Sequence, residues 1–189
     1  QMCIETGVTR TIIDGEVVDY PTFKDFTHIY STDDGVFPCN LNKVESLIIR
    51  NELESGNAEL FYRNPTRGKS SFKVTYSKDG EEKVFSPDFI TFSKVGGELK
   101  ASIVDPHGIY LEDSLDKLRG MAHYAQKYGD DFLEIRCFDG IESDGKISVI
   151  DLKDKDTQDH VLSCDTISEV YDKSNKGIVR EVDIFPSQE

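Results

Sequence analysis

Ser86-Pro87-Asp88-Phe89-Ile90, then Ile103-Val104-Asp105-Pro106-His107-Gly108, are the two stretches around which the chain is best understood. Each is β-rich and apolar, and each delivers one aspartate. Gly96-Gly97 between them is a two-residue hairpin signal. Residues two apart on a strand share a face. Asp105 therefore falls on the face of Ile103, Ala101 and Leu99, and Asp88 on that of Ile90 and Phe92. An aspartate on an apolar face is unfavourable unless paired, hydrogen-bonded or bound to a metal. Two at the ends of neighbouring strands suggest carboxylates converging on one cation. The plainer alternative is that each caps a turn, since Pro-Asp and Asp-Pro are common turn formers.

Upstream, Asn40 or Asn42 is an N-cap for a helix running to about Glu54 and ended by Gly56. Val44, Ile48, Ile49 and Leu53 span its apolar arc, and Glu45 and Glu52 lie inside that arc. Either these glutamates snorkel, or Glu45 points into a site between helix and sheet. Strands are expected over 58–63 and 72–77, then as the two motif strands, 83–93 and 98–105. Downstream, the spacing predicts a helix over 113–128 with Leu115, Leu118, Met121, Ala122 and Ala125 as its core stripe and Lys117 at the margin. Strands over 132–138 and 146–152 and a last helix over 157–172 follow. This order predicts an α/β fold with a mixed central sheet flanked by helices.

The 189 residues suit one domain with an extension. Residues 1–38 read as a strand-rich extension or connector, 39–155 as the core, and 156–189 as a C-terminal helix and tail. Lys and Arg number 22 against 36 Asp and Glu, a formal net charge of −14. That charge repels nucleic acid at long range and argues against a free-standing, non-specific DNA binder, but not against a DNA-cutting module tethered to a partner. The four cysteines (Cys3, Cys39, Cys137, Cys164) have no zinc spacing and read as free thiols in a reducing cytoplasm. No run suits a membrane span or a signal segment. Gln1, rather than Met, opens the chain, which fits a piece of a longer protein. Arg63, Arg67, Lys69 and Lys73 make one region locally basic. It is either a solvated loop or a phosphate contact, and Arg63, Asn64, Arg67 and Lys69 are its candidate DNA-contact residues.

Pro87-Asp88 followed by Asp105-Pro106-His107 resembles the PD-(D/E)xK nuclease signature. The wider set is more specific: Asn42-x-x-Glu45, Tyr62-Arg63-Asn64-Pro65, Pro87-Asp88-Phe89, Val104-Asp105-Pro106-His107-Gly108 and Leu115-x-Lys117-Leu118-Arg119-Gly120. Together they look like the nuclease-like C-terminal region of bacterial DEAD/DEAH-box helicases, relatives of type III restriction Res subunits, over about residues 28–155. The resemblance implies a restriction-endonuclease-like αβββαβ core and Mg²⁺ or Mn²⁺ at Asp88 and Asp105, with Glu45 as an accessory ligand. It also implies DNA hydrolysis in restriction or phage defence, beside a helicase or ATPase partner in cis or trans. The chain departs from the signature at His107, where the family has Lys. Neutral His is not a permanent cation, and Lys117 on the following helix is the candidate replacement. A catalytically inactive nuclease-fold module for DNA or protein docking is the competing expectation.

Overall fold

A computed structural model of the chain describes residues 10–13, 16–19, 22–23, 27–31, 33, 35, 37–39, 41–106, 112–141 and 145–184. Short strands β1 (Arg10–Ile13) and β2 (Glu16–Asp19) form one ribbon, and β3 (Thr22–Phe23) and β4 (Phe37–Pro38) another. Helix α1 (Lys43–Glu54) starts at Asn42, whose side chain accepts the Glu45 N–H while the Glu45 carboxylate accepts the Asn42 N–H. This reciprocal box satisfies two of the donors that a helix start leaves open. Strand β5 (Leu60–Arg63) follows, then the hairpin β6 (Val74–Lys78) and β7 (Glu81–Phe85), which stands apart from the main sheet.

Strands β8 (Phe89–Val95) and β9 (Glu98–Asp105) are antiparallel, joined by Gly96 at φ 62° and Gly97 at φ 88°. Only a turn of the primed type matches the strand twist across two residues, and it needs those positive angles. The single strand expected over 83–93 is in fact β7 and β8. Ser86-Pro87-Asp88 separates them, because proline has no N–H for a ladder. After β9 the chain crosses through α2 (Ser114–Tyr128) to β10 (Ile135–Ile141), which pairs parallel to β9. Strands β11 (Lys146–Asp151) and β12 (Arg180–Asp183) complete a six-stranded sheet in the order β12-β11-β10-β9-β8-β5, otherwise antiparallel. The molecule is thus a mixed α/β fold with a mostly antiparallel sheet flanked by helices.

The two sheet faces bury different sets. Ile90, Ile103, Ile135 and Ile150 pack with α2 through Leu118, Met121 and Ala122. Phe61, Phe89, Val104 and Phe138 pack with α1 through Ile48 and Ile49. Full burial of each such side chain contributes about 1.5–3 kcal/mol. The last helix expected over 157–172 is two: α3 (Lys155–Ser163) and α4 (Ile167–Val170). Thr166 and Glu169 form a fresh capping box that restarts the helix after Cys164-Asp165. This segment packs into the same core through Val161 and Val170. Cys39, Cys137 and Cys164 are free and buried. Among the described residues no helix is long and apolar enough to cross a membrane.

Gly120 on α2 lies against β6. A Cβ there would meet Tyr76 Cβ at 2.5 Å and the Thr75 carbonyl oxygen at 2.8 Å. Overpacking against backbone costs about 2–3 kcal/mol, and Gly→Ala in a helix returns about 1 kcal/mol. Gly120→Ala is therefore expected to destabilise the fold by about 1–2 kcal/mol, read as a lower urea midpoint. An unchanged or raised midpoint would mean that the β6–β7 hairpin yields freely.

Candidate active site

Asp88 directly precedes β8 and Asp105 ends β9. Phe89 pairs with Val104, which brings the two aspartates opposite each other at one end of the hairpin. The Asp88 N–H donates to Asp105 Oδ1 at 3.0 Å. Asp105 is 3% exposed. Burial, and then the Asp105 carboxylate, push the Asp88 carboxyl above the ordinary range; the Arg63 guanidinium opposes them.

Arg63, at the end of β5, is the cation of the cluster. Its guanidinium donates to Asp88 Oδ1 at 2.6 Å, to the Asp88 carbonyl at 3.1 Å and to Glu45 Oε1 at 2.9 Å. Its charge lies 4.8 Å from the Phe89 ring centroid. Its backbone N–H donates to Nε2 of the buried His28 at 3.2 Å. Glu45 thus has one carboxylate oxygen on Arg63 and the other on the Asn42 N–H. It faces the sheet as one of the two readings expected, but its partner is a guanidinium. Glu52, from the same helix, neither snorkels nor joins this cluster. It is buried against Arg136 on β10.

The other expected site residues divide. Lys117 bonds Asp113 Oδ1 at 2.9 Å, and it lines with Asp105, Ser114, Met121, Cys137 and Tyr171 a cavity of about 10 Å³ under α2. Helix and strand therefore bring Lys117 and Asp105 to one space. His107 lies outside the described residues. Asn64, expected as a DNA contact, is 2% exposed and fully engaged: its amide donates to the Phe72 and Pro87 carbonyls and accepts the Phe72 N–H. It ties the loop after β5 to the Pro87-Asp88 turn. Arg63, a candidate DNA contact, donates to the carboxylates of Glu45 and Asp88. Arg67 and Lys69 lie on an exposed loop.

Nucleophilic thiol chemistry is disfavoured here. Burial pushes the Cys39 thiol, beside Arg63 and Glu45, up to about 12. The roles of Arg63 and His28 were not read from the sequence. The available signal was charge balance, since three acidic side chains on one site need a cation, and Arg63 stands in the motif set beside Lys117 and Arg119.

The YagJ family model matches residues 26–179. Protein YagJ of Escherichia coli (strain K12) is 32% identical over 165 residues, covering 87% of this chain. The chain spans 66% of that relative's length. No solved structure matches the chain.

Arg63→Met keeps a stem over Phe89 but leaves two partly buried carboxylates without their cation. A loss of about 2–4 kcal/mol is expected at neutral pH, narrowing as pH falls and Asp88 protonates. Urea melts of both proteins at pH 7 and at mildly acid pH check this; a pH-independent gap would mean that packing, not charge, is lost. Burial also holds the His28 imidazole down to about 4 from 6.5. An imidazolium accepts no hydrogen bond. The unfolded chain binds this proton first, so His28 contributes stability that is present above pH 6.5 and lost as pH falls toward about 4. His28→Gln is expected to flatten the stability–pH curve in that window, and an unaltered slope would remove His28 as its source.

Proposed function

We propose that this chain, which belongs to the YagJ family, is a metal-dependent nuclease module that hydrolyses DNA phosphodiester bonds at Asp88 and Asp105. The observation that carries the reading is the joint between these residues: opposed positions at one end of β8 and β9, linked by the Asp88 N–H to Asp105. The order α1, β5, β8, β9, α2, β10, with three antiparallel strands and then a parallel one, is compatible with an αβββαβ nuclease core. The β6–β7 hairpin is an insertion in it.

The donor set suits a hard cation, because both side chains offer only carboxylate oxygens. Among the described residues no group of three His, Cys, Asp or Glu is placed to hold a metal. Mg²⁺ commonly takes only one or two protein carboxylates, the rest being water and substrate phosphate. Asp88 and Asp105 would hold it, and Glu45, engaged by Arg63 and Asn42, serves to position Arg63. A bound Mg²⁺ or Mn²⁺ supplies an activated water and charge neutralisation at the phosphate. Arg63 orients the Asp88 carboxylate and Lys117 brings a cation to the Asp105 side. The formal charge of −14 is the reason to pair the module with a DNA-gripping helicase or ATPase, in the reducing cytoplasm that suits its free thiols.

A second reading has its own observation. Arg63 already stands between Glu45 and Asp88, where a docking module that has lost its metal would need a cation. Plasmid, single-stranded and branched DNA incubated with Mg²⁺ or Mn²⁺ separate the two. Cutting is expected for the wild type and loss of cutting for Asp88→Ala and Asp105→Ala. Cutting that survives both variants sinks the assignment of the site. Absence of cutting, together with no Mn²⁺ binding by calorimetry, supports the docking module.

A further inference from the structure

We propose that the open groove between β6 and α2 is a binding site for single-stranded DNA, with Tyr124 and Tyr128 as a stacking platform and Lys73 and Lys127 as phosphate contacts. The inference deepens the nuclease reading and rests on it for the choice of DNA as occupant.

The groove has a volume of about 480 Å³, and its walls include Phe72, Lys73, His123, Tyr124, Lys127 and Tyr128. Among the described residues that line it none is acidic, in a chain with 36 acidic residues against 22 basic, and Asp131 acts on Tyr124 only from beyond that lining. That local inversion of charge is what an anion-binding surface needs on an otherwise repelling molecule. The aromatic rings form a connected set. Tyr124 lies 4.9 Å from Tyr128 and 5.6 Å, edge to face, from Phe72. Tyr128 is 40% exposed, and Lys127 Nζ stands 4.9 Å from its ring centroid. Tyr124 and Phe72 are half-buried against the core and hold the exposed Tyr128 in place. An exposed ring on such a base, beside lysines, suits an unpaired base and its phosphate, since bases stack on aromatic faces while cations follow the backbone. An acidic peptide would use the lysines and leave the rings idle.

The groove is also wired to the candidate active site. Phe72 exchanges two hydrogen bonds with Asn64. The Asn64 N–H donates to the Asp88 carbonyl at 2.9 Å, and its side chain to the Pro87 carbonyl at 2.7 Å. A strand held at Phe72 and Lys73 is therefore held against the segment that positions Asp88. Gly120 forms part of the groove wall and lets β6 approach α2.

Fluorescence anisotropy tests this with a labelled oligonucleotide of about 15 nucleotides, at low salt and in EDTA so that nothing is cut. The wild type is expected to bind the single strand and to lose affinity as salt rises. Tyr128→Ala is expected to weaken binding about fivefold or more. Lys73→Glu with Lys127→Glu is expected to weaken it at least about tenfold. Lys94→Glu with Lys100→Glu, the same charge change on the exposed far end of β8 and β9, should leave it within about twofold. All four lysines and Tyr128 are exposed, and thermal melts confirm folding. No binding by the wild type overturns the proposal. So does equal weakening by both charge pairs, equal affinity for duplex, or equal competition by poly-glutamate. Groove-dependent binding without cutting under any metal would retain the groove and refute the nuclease. Cutting with groove variants that bind like wild type would do the reverse.

Discussion

Three acidic side chains, from a helix, a turn and a strand, meet at one end of the sheet, and a single guanidinium makes that possible. Arg63 donates to Glu45 and Asp88 together, so the helix start, the end of β5 and the turn before β8 are held by one planar group. Arg suits this role because its fork of donors stays charged at any accessible pH. Each group around it is held in turn. Glu45 is fixed by its box with Asn42, Arg63 by Phe89 and His28, and Asp88 by Asp105. Removing the cation would leave Asp88, whose carboxyl burial has already pushed toward protonation, without its counter-charge.

The same helix contains a useful contrast. Glu45 and Glu52 lie on one face of α1, and each meets an arginine from the sheet. Glu52 and Arg136 are sealed, with side chains 2% and 8% exposed, whereas Arg63 retains 23% and Asp88 21%. A sealed pair braces the helix against β10 and has no way to exchange its cation. A pair at the sheet's end, open to solvent on one side, can share its carboxylate with an incoming ion. Location along the helix, rather than residue type, separates the brace from the candidate site.

Charge is distributed unevenly for a chain so acidic. Glu45, Asp88 and Asp105 gather where the β8–β9 hairpin opens, and Lys73 and Lys127 border a groove with no acid among its described lining residues. The β6–β7 hairpin, inserted between β5 and β8, forms one wall of that groove, and Asn64 connects it to the Pro87-Asp88 turn. Backbone that would otherwise be an idle excursion thus joins an anion-friendly surface to the acidic site. This gives the proposed activity both a place to hold a strand and a place to cut it.

Local pattern was a good guide to elements. Asn40 or Asn42 and Gly56 bracketed α1, with the structure choosing Asn42; Gly96-Gly97 announced the β8–β9 turn, and the apolar stripe from Leu115 to Ala125 the face of α2. Two breaks had local signals that strand and helix periodicity overrode: Pro87, which cannot serve a ladder, and the Thr166-x-x-Glu169 box that restarts a helix. The convergence of Asp88 and Asp105 was also legible, because period-two alternation and a two-residue turn determine the register between them. The partners of the acids were not. Arg63 and Asn64 looked like surface groups in a basic loop, and the structure turns one onto Glu45 and Asp88 and buries the other. The sequence by itself determined which side chains share a strand or helix face, since backbone periodicity is a local property. Only the tertiary structure decided which cation neutralises which carboxylate, because that depends on distances between segments far apart in the chain and on how much water each pair loses on packing.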